Sequence, residues 1–197
     1  MVSLSKNQTV SLSKTSGNAL TRVAVGLGWD PVKKKPGFFG GLFGGGSDEI
    51  DLDASVVMLD GNANPIDCVW FRQLNSKCGS LHHRGDNLTG EGDGDDEVID
   101  INLTSLSTNV KYLAITVNSF RGQTFNEVDN AFCRVIDTAN RDKEICNYQL
   151  KEQGPHTGVL IASLKRNGSD WEFTAHGLPC NGSTVEAMIP TIRQALV

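Results

Sequence analysis

A period of two, repeated along most of the chain, narrows the possible folds more than any other feature. In EVIDINL, Ile99, Ile101 and Leu103 alternate with Val98, Asp100 and Asn102, and in KYLAITVN, Leu113, Ile115 and Val117 alternate with Tyr112, Ala114 and Thr116. That spacing puts one set of side chains on each face of a half-buried strand. Similar short segments recur: TVSLS from Thr9, TRVAVGL from Thr21, DLDASVVML from Asp51, DCVWFRQL from Asp67, AFCRVID from Ala131, EICNYQL from Glu144, TGVLIASLKR from Thr157 and WEFTAHG from Trp171. Gly, Asn, Asp and Ser turns separate them. So many short strands predict a mainly β chain, a sandwich of two antiparallel sheets rather than a barrel or an α/β fold.

Helices should be few and short. The clearest is at the carboxyl end, where Ser183 and Glu186 have capping-box spacing and Val185, Met188, Ile189, Ile192 and Leu196 share a face. Pro190 should kink or restart that helix. At 197 residues the chain suits one domain, 1–197. It has neither a leader pattern nor an apolar run long enough to span a bilayer, which predicts a cytoplasmic protein. Five cysteines without a C-x-x-C pair are expected to be mostly reduced, several of them buried, with Cys78 in the turn SKCGS the best thiol candidate.

The segment KKKPGFFGGLFGGG, Lys33 to Gly46, fits neither core nor strand. Glycine at that density holds regular structure at high entropic cost, which predicts a flexible Gly/Phe-rich loop at about 33–47. Its lysines and phenylalanines also offer a second reading, contact with a lipid interface or a partner groove.

The net charge of −5 has a local origin. Asp86, Glu91, Asp93, Asp95, Asp96 and Glu97 supply six of the 23 acidic residues, and removing them turns the balance to +1. No basic stripe with interleaved aromatics is present, so direct nucleic-acid binding is not expected. Two carboxylates about 4 Å apart in water repel by about 1 kcal/mol, so a compact loop carrying six needs an offset. Either it splays into solvent or a cation sits among its oxygens. The flanking strands, and Gly90, Gly92 and Gly94 within the loop, favour the cation.

Carboxylates, the Asn87 amide and the Thr89 hydroxyl are hard oxygen donors of the kind calcium takes. Magnesium would need fewer acids, and zinc prefers nitrogen and sulfur. Cys78, His82 and His83 lack zinc spacing, and strand alternation points the two histidines to opposite faces. The loop is not an EF-hand: Leu88 and Gly90 stand where its third and fifth positions need ligands, and Glu91 replaces its glycine. Nor is it a β-helix calcium array, since GEGDGD occurs once. Further ligands should come from Asp30, at the end of VAVGLGW, and from Asp51 and Asp53, which share a face of the next strand. Nine carboxylates exceed what one dication needs, which predicts two calcium ions.

VGLGWD, IDLDASVVMLD, HRGDNLTGEGDGDDE, FNEVDNAFCRVID and WEFTAHG, in that order, resemble the TerD family of bacterial tellurite-resistance and stress proteins over nearly the whole chain. SLSKNQTVSLSK, the Gly/Phe insertion and VWFRQLNSKCGS resemble the TerZ branch most. The resemblance implies a non-catalytic calcium-binding β-sandwich, linked to resistance against tellurite, colicins and phage. It implies other tellurite-resistance proteins as partners, at the inner face of the membrane where the chain is peripherally associated. Metal binding carries over to Asp30, Asp51, Asp53, Asp86, Asn87, Glu91, Asp93, Asp95, Asp96 and Glu97.

The motifs of common hydrolases and nucleotide enzymes are missing from the sequence. The alternative kept open is a metal-dependent nucleotide or phosphodiester hydrolase using the same acids, with Arg84 and Arg121 as its substrate clamp.

Overall fold

The computed structural model describes residues 1–32, 50–85, 87, 94–151 and 153–197. The Gly/Phe-rich loop at about 33–47 therefore lies outside the described residues, as do Asp86, Glu91 and Asp93. Among the described residues two six-stranded sheets stack face to face. Sheet A contains β1 (Val2–Leu4), β3 (Arg22–Pro31), β6 (Leu81–His83), β7 (Glu97–Asn102), β9 (Val128–Asp137) and β10 (Lys143–Gln149). Its spatial order is β1-β10-β9-β3-β7-β6. Sheet B contains β2 (Thr9–Ser11), β4 (Asp53–Leu59), β5 (Pro65–Val69), β8 (Tyr112–Asn118), β11 (Gly158–Asn167) and β12 (Asp170–Cys180), in the order β2-β12-β11-β8-β4-β5. Every pairing is antiparallel except that of β1 with β10.

The predicted alternation forms the core between the sheets. Val23, Val25, Leu27 and Trp29 of β3, Ile99 and Ile101 of β7, and Leu113, Ile115 and Val117 of β8 meet there with Ala54, Val56 and Met58 of β4. Each large aliphatic side chain removed from water contributes about 1.5–3 kcal/mol. A second apolar layer lies on the outer face of sheet B, where Val57, Leu59, Ala114 and Leu160 are covered by helix α2 (Val185–Leu196).

Several local expectations are corrected. The strand from Thr9 stops at Ser11, whose hydroxyl accepts from Lys14 N–H (3.1 Å) and caps a five-residue helix, α1 (Leu12–Ser16). The strand from Asp67 ends at Val69, and the chain turns at Phe71 and Arg72. At the carboxyl end no capping box forms: Thr184 is the N-cap, without a side-chain cap bond, and the Ser183 carbonyl accepts from Asn118 Nδ2 (3.1 Å). Pro190 lies inside one helix and does not restart it, because Val185, Met188 and Ile192 bury a common stripe across the proline.

Candidate cation site at one rim of the sandwich

The last residues of β3 and β8 and the first of β4, β7 and β9 end at the same rim. Leu27 pairs with Glu97, Asp30 with Asp129 and Asp53 with Asn118. The described part of the acidic loop returns to sheet A here, held by the Asp96 N–H donating to the Leu27 carbonyl (2.8 Å).

Two glycines of β3 allow that return. A Cβ on Gly26 would lie 2.3–2.5 Å from the Asp95 carboxylate, and one on Gly28 would meet the Phe132 ring at 2.4 Å and the Gly94 carbonyl oxygen at 2.7 Å. With hydrogen in those places, residues 94–96 lie against the outer face of the strand. Asp95 then meets Arg134 of β9, whose Nε and Nη2 donate to Oδ1 (2.7 Å) and Oδ2 (3.0 Å). This bidentate pair anchors the loop.

Asp96 is placed differently. Its Oδ2 accepts from Trp29 N–H (2.7 Å) and its Oδ1 from Asn87 Nδ2 (2.8 Å). Asp30 is held by Asn130 Nδ2 on Oδ2 (2.8 Å). No basic group among the described residues ion-pairs with either carboxylate. Burial, and the negative charges of Asp30 and Asp95, push the Asp96 carboxyl above its ordinary value despite the Trp29 N–H. This is the signature of an anion short of counter-charge.

Glu97 faces the interior. Its Oε2 accepts from Ala54 N–H of the opposite sheet (2.7 Å) and lies 3.2 Å from His83 Nε2, and its Oε1 accepts from Asn87 N–H (3.2 Å). His83 and Glu97 side chains are fully buried, whereas His82 is exposed, as strand alternation predicts. Burial raises the Glu97 carboxyl while its bond to His83 and that residue's charge oppose the rise.

Asp51 and Asp53 are buried at the start of β4. Asp53 alternates with the core-facing Ala54 and so belongs to the outer side of sheet B, and Asp51 Oδ2 lies 2.8 Å from Arg121 Nε. The rim thus carries acids on both sides: Asp30, Asp95 and Asp96 with sheet A, Asp51 and Asp53 with sheet B. No group of three or more His, Cys, Asp or Glu in metal-holding geometry occurs among the described residues. The Asp96 and Asp30 carboxylates are hard oxygen donors of the kind calcium takes, and the contacts they make here are to neutral N–H groups. Arg134 was missed because nothing in the local sequence links it to a carboxylate 39 residues away. The His83 contact was within reach of the alternation in SLHH.

The clamp expected of a hydrolase is otherwise engaged. Arg84 Nε and Nη2 each donate to Asp100 at 2.8 Å, and Arg121 holds Asp51. All five cysteines are free thiols, and Cys133, Cys146 and Cys180 are buried. Burial first, then nearby acids, pushes Cys68 and Cys146 up to about 12. At the exposed Cys78, slight burial is outweighed by the Ser76 and Ser80 hydroxyls, and the thiol lies below its ordinary value.

A TerD domain matches residues 1–190. The chain is 60% identical over 197 residues to tellurium resistance protein TerZ of Serratia marcescens, covering 100% of both chains. It is 40% identical over 195 residues to stress response protein SCP2 of Bacillus subtilis, covering 95% of this chain and 97% of the relative. A crystal structure of a homologue of telluride resistance protein TerD from Streptomyces coelicolor superposes with a TM-score of 0.64 at 22% identity, over 85% of this chain and 98% of the other. A protein of unknown function superposes with a TM-score of 0.66, also at 22% identity, over 87% and 98%. At that identity the two structures establish likeness of fold. No helix among the described residues is long and apolar enough to cross a membrane.

Proposed function

Because the chain belongs to the TerD family, in its TerZ branch, we propose that it is a calcium-dependent, non-catalytic binding or scaffold module of the tellurite and stress response. The observation that carries this reading is Asp96, a half-buried carboxylate that repels Asp30 and Asp95 and meets only neutral donors. Asp30, Asp96 and Asn87 hold one calcium ion, with Asp86, Glu91 and Asp93 assigned from the sequence alone. Asp51 and Asp53 hold the second on the sheet B side. A bound ion supplies the positive charge that Asp96 and Asp30 lack. Asp95 and Glu97, assigned to the metal by sequence, contribute by fixing the loop's return through Arg134, His83 and Ala54 N–H.

The loop, once neutralised, presents a surface to partners, other tellurite-resistance proteins among them. The action is cytoplasmic or at the inner face of the membrane. The hydrolase alternative lacks a free clamp at Arg84 and Arg121.

Calorimetry in calcium against EGTA tests the proposal. An ion that binds only the folded state raises the unfolding temperature, by an increment growing with its concentration. Equal melting in both solutions ends the calcium reading, and nucleotide hydrolysis that depends on Asp96 would replace it with the enzymatic one.

A further inference from the structure

Two turns at one end of sheet B, after β5 and after β8, carry the same dipeptide at their corners. In the first, Gln73 N–H donates to the Trp70 carbonyl (2.9 Å) and Trp70 N–H to the Gln73 carbonyl (3.1 Å), which leaves Phe71 and Arg72 as the corner residues. In the second, Gly122 N–H donates to the Ser119 carbonyl (3.4 Å), with Phe120 and Arg121 at the corners and Gly122 at a φ of +83°. Turn corners usually carry small or polar residues. Here two phenylalanines meet edge to face, their centroids 6.0 Å apart, and Trp70 packs against Phe71 at 5.1 Å. Phe120 is 45% exposed.

The two arginines have different fates. Arg121 is held by Asp51. The exposed Arg72 guanidinium lies over three rings, 5.7 Å from the centroid of Trp70, 5.1 Å from Phe71 and 5.2 Å from Phe120. Among the described residues no carboxylate or carbonyl accepts from it. The rings restrict the fork, so less rotamer freedom is lost when an acceptor arrives, and its N–H edge stays open. Exposed aromatic and arginine side chains together are what binding hot spots use.

We propose that Arg72 and its three rings form a docking site for an acidic, apolar-flanked peptide segment of a partner protein, with the guanidinium taking one carboxylate and Phe71 and Phe120 its apolar neighbour. A single open fork matches a single planar carboxylate, whereas a nucleic-acid backbone or an anionic bilayer calls for several cations. The site rests on side chains separate from the cation ligands, so it is testable with calcium removed.

The test follows the Arg72 Nε–H resonance of the full chain by NMR, in EGTA and in calcium, while sodium 3-phenylpropionate is added. Phenyl phosphate, and vesicles of phosphatidylcholine with phosphatidylglycerol, form the comparison arms. The expected result is a saturable shift with the carboxylate in both solutions, weakened about tenfold or more by Arg72→Lys and by Phe120→Ala. The wild-type titration stays informative should either variant fold poorly. No movement of Arg72, a shift confined to calcium, equal binding by Arg72→Lys, or a stronger response to phosphate or vesicles each overturns the proposal. Failure of the calcium reading would show instead in the melting experiment, which leaves Arg72 untouched.

Discussion

Glu97 Oε2 and His83 Nε2 lie 3.2 Å apart with both side chains sealed from solvent, and the same oxygen accepts from Ala54 N–H of the opposite sheet at 2.7 Å. His83 Nδ1 accepts from Gly85 N–H (3.2 Å). One carboxylate therefore joins sheet A to sheet B where the acidic loop begins and ends.

Truncating that strut should cost far more than its length suggests. Glu97→Ala removes the acceptor of two backbone N–H groups and the partner of a buried histidine, with an expected loss of about 3–5 kcal/mol in denaturant unfolding. Glu97→Gln keeps one acceptor oxygen and should lose less. Equal stability of Glu97→Ala and the parent would show that Ala54 N–H and His83 find other partners.

Gly26 tests how the loop is seated. Gly26→Ala places a methyl group 2.3–2.5 Å from where the Asp95 carboxylate now lies. Asp95 must leave Arg134, and overpacking of this kind costs about 1–3 kcal/mol. Asp95→Asn should lower stability too, yet keep the calcium-induced rise in melting temperature. Loss of that rise in Asp95→Asn would make Asp95 a ligand rather than an anchor.

The pH dependence of the unliganded protein follows from Asp96. Burial, then the Asp30 and Asp95 charges, raises its folded-state pKa, so the folded chain binds this proton more tightly than the unfolded one. The contribution of Asp96 to stability is then fullest below the ordinary carboxylate range and is lost as pH climbs through the folded value. Calorimetry of protein stripped of calcium on a chelating resin should record that loss from about pH 4 upward, and Asp96→Asn should reduce it. Calcium favours the ionised form, so the gap between the curves with and without added calcium should widen as pH rises.

Thiol chemistry gives an ordering. Cys78 is exposed and its thiol pKa lies below the ordinary value, while Cys68 and Cys146 are pushed up to about 12. Iodoacetamide at pH 7.5 should therefore label Cys78 first, with Cys133, Cys146 and Cys180 modified only on unfolding. Peptide mapping of a time course reads this directly. Early labelling of Cys133 would mean that β9 opens readily.

Much of the architecture was legible because alternation is a local property. A period of two announces a strand and its buried face without reference to any partner, so β3, β4, β7, β8, β11 and β12 follow from their own residues. The shortest elements that escaped, β1 and α1, carry too few periods to register. The boundary at Val69 escaped for a related reason: aromatic residues at a turn corner have the composition of a strand, and only the Trp70–Gln73 pairing reveals the reversal.

The acidic run, its hard-oxygen chemistry and its bracketing strands were set by the order of residues alone, because charge density and periodicity need no third dimension. Which acid meets which partner was decided by register. Pairing Gly26 with Arg134 brings the arginine under Asp95, pairing Leu27 with Glu97 sends that carboxylate inward to Ala54 and His83, and Asp96 is left among neutral donors. Adjacent residues, chemically alike, part company because successive positions along an extended chain point to opposite sides, and only the folded sheets determine what waits on each side.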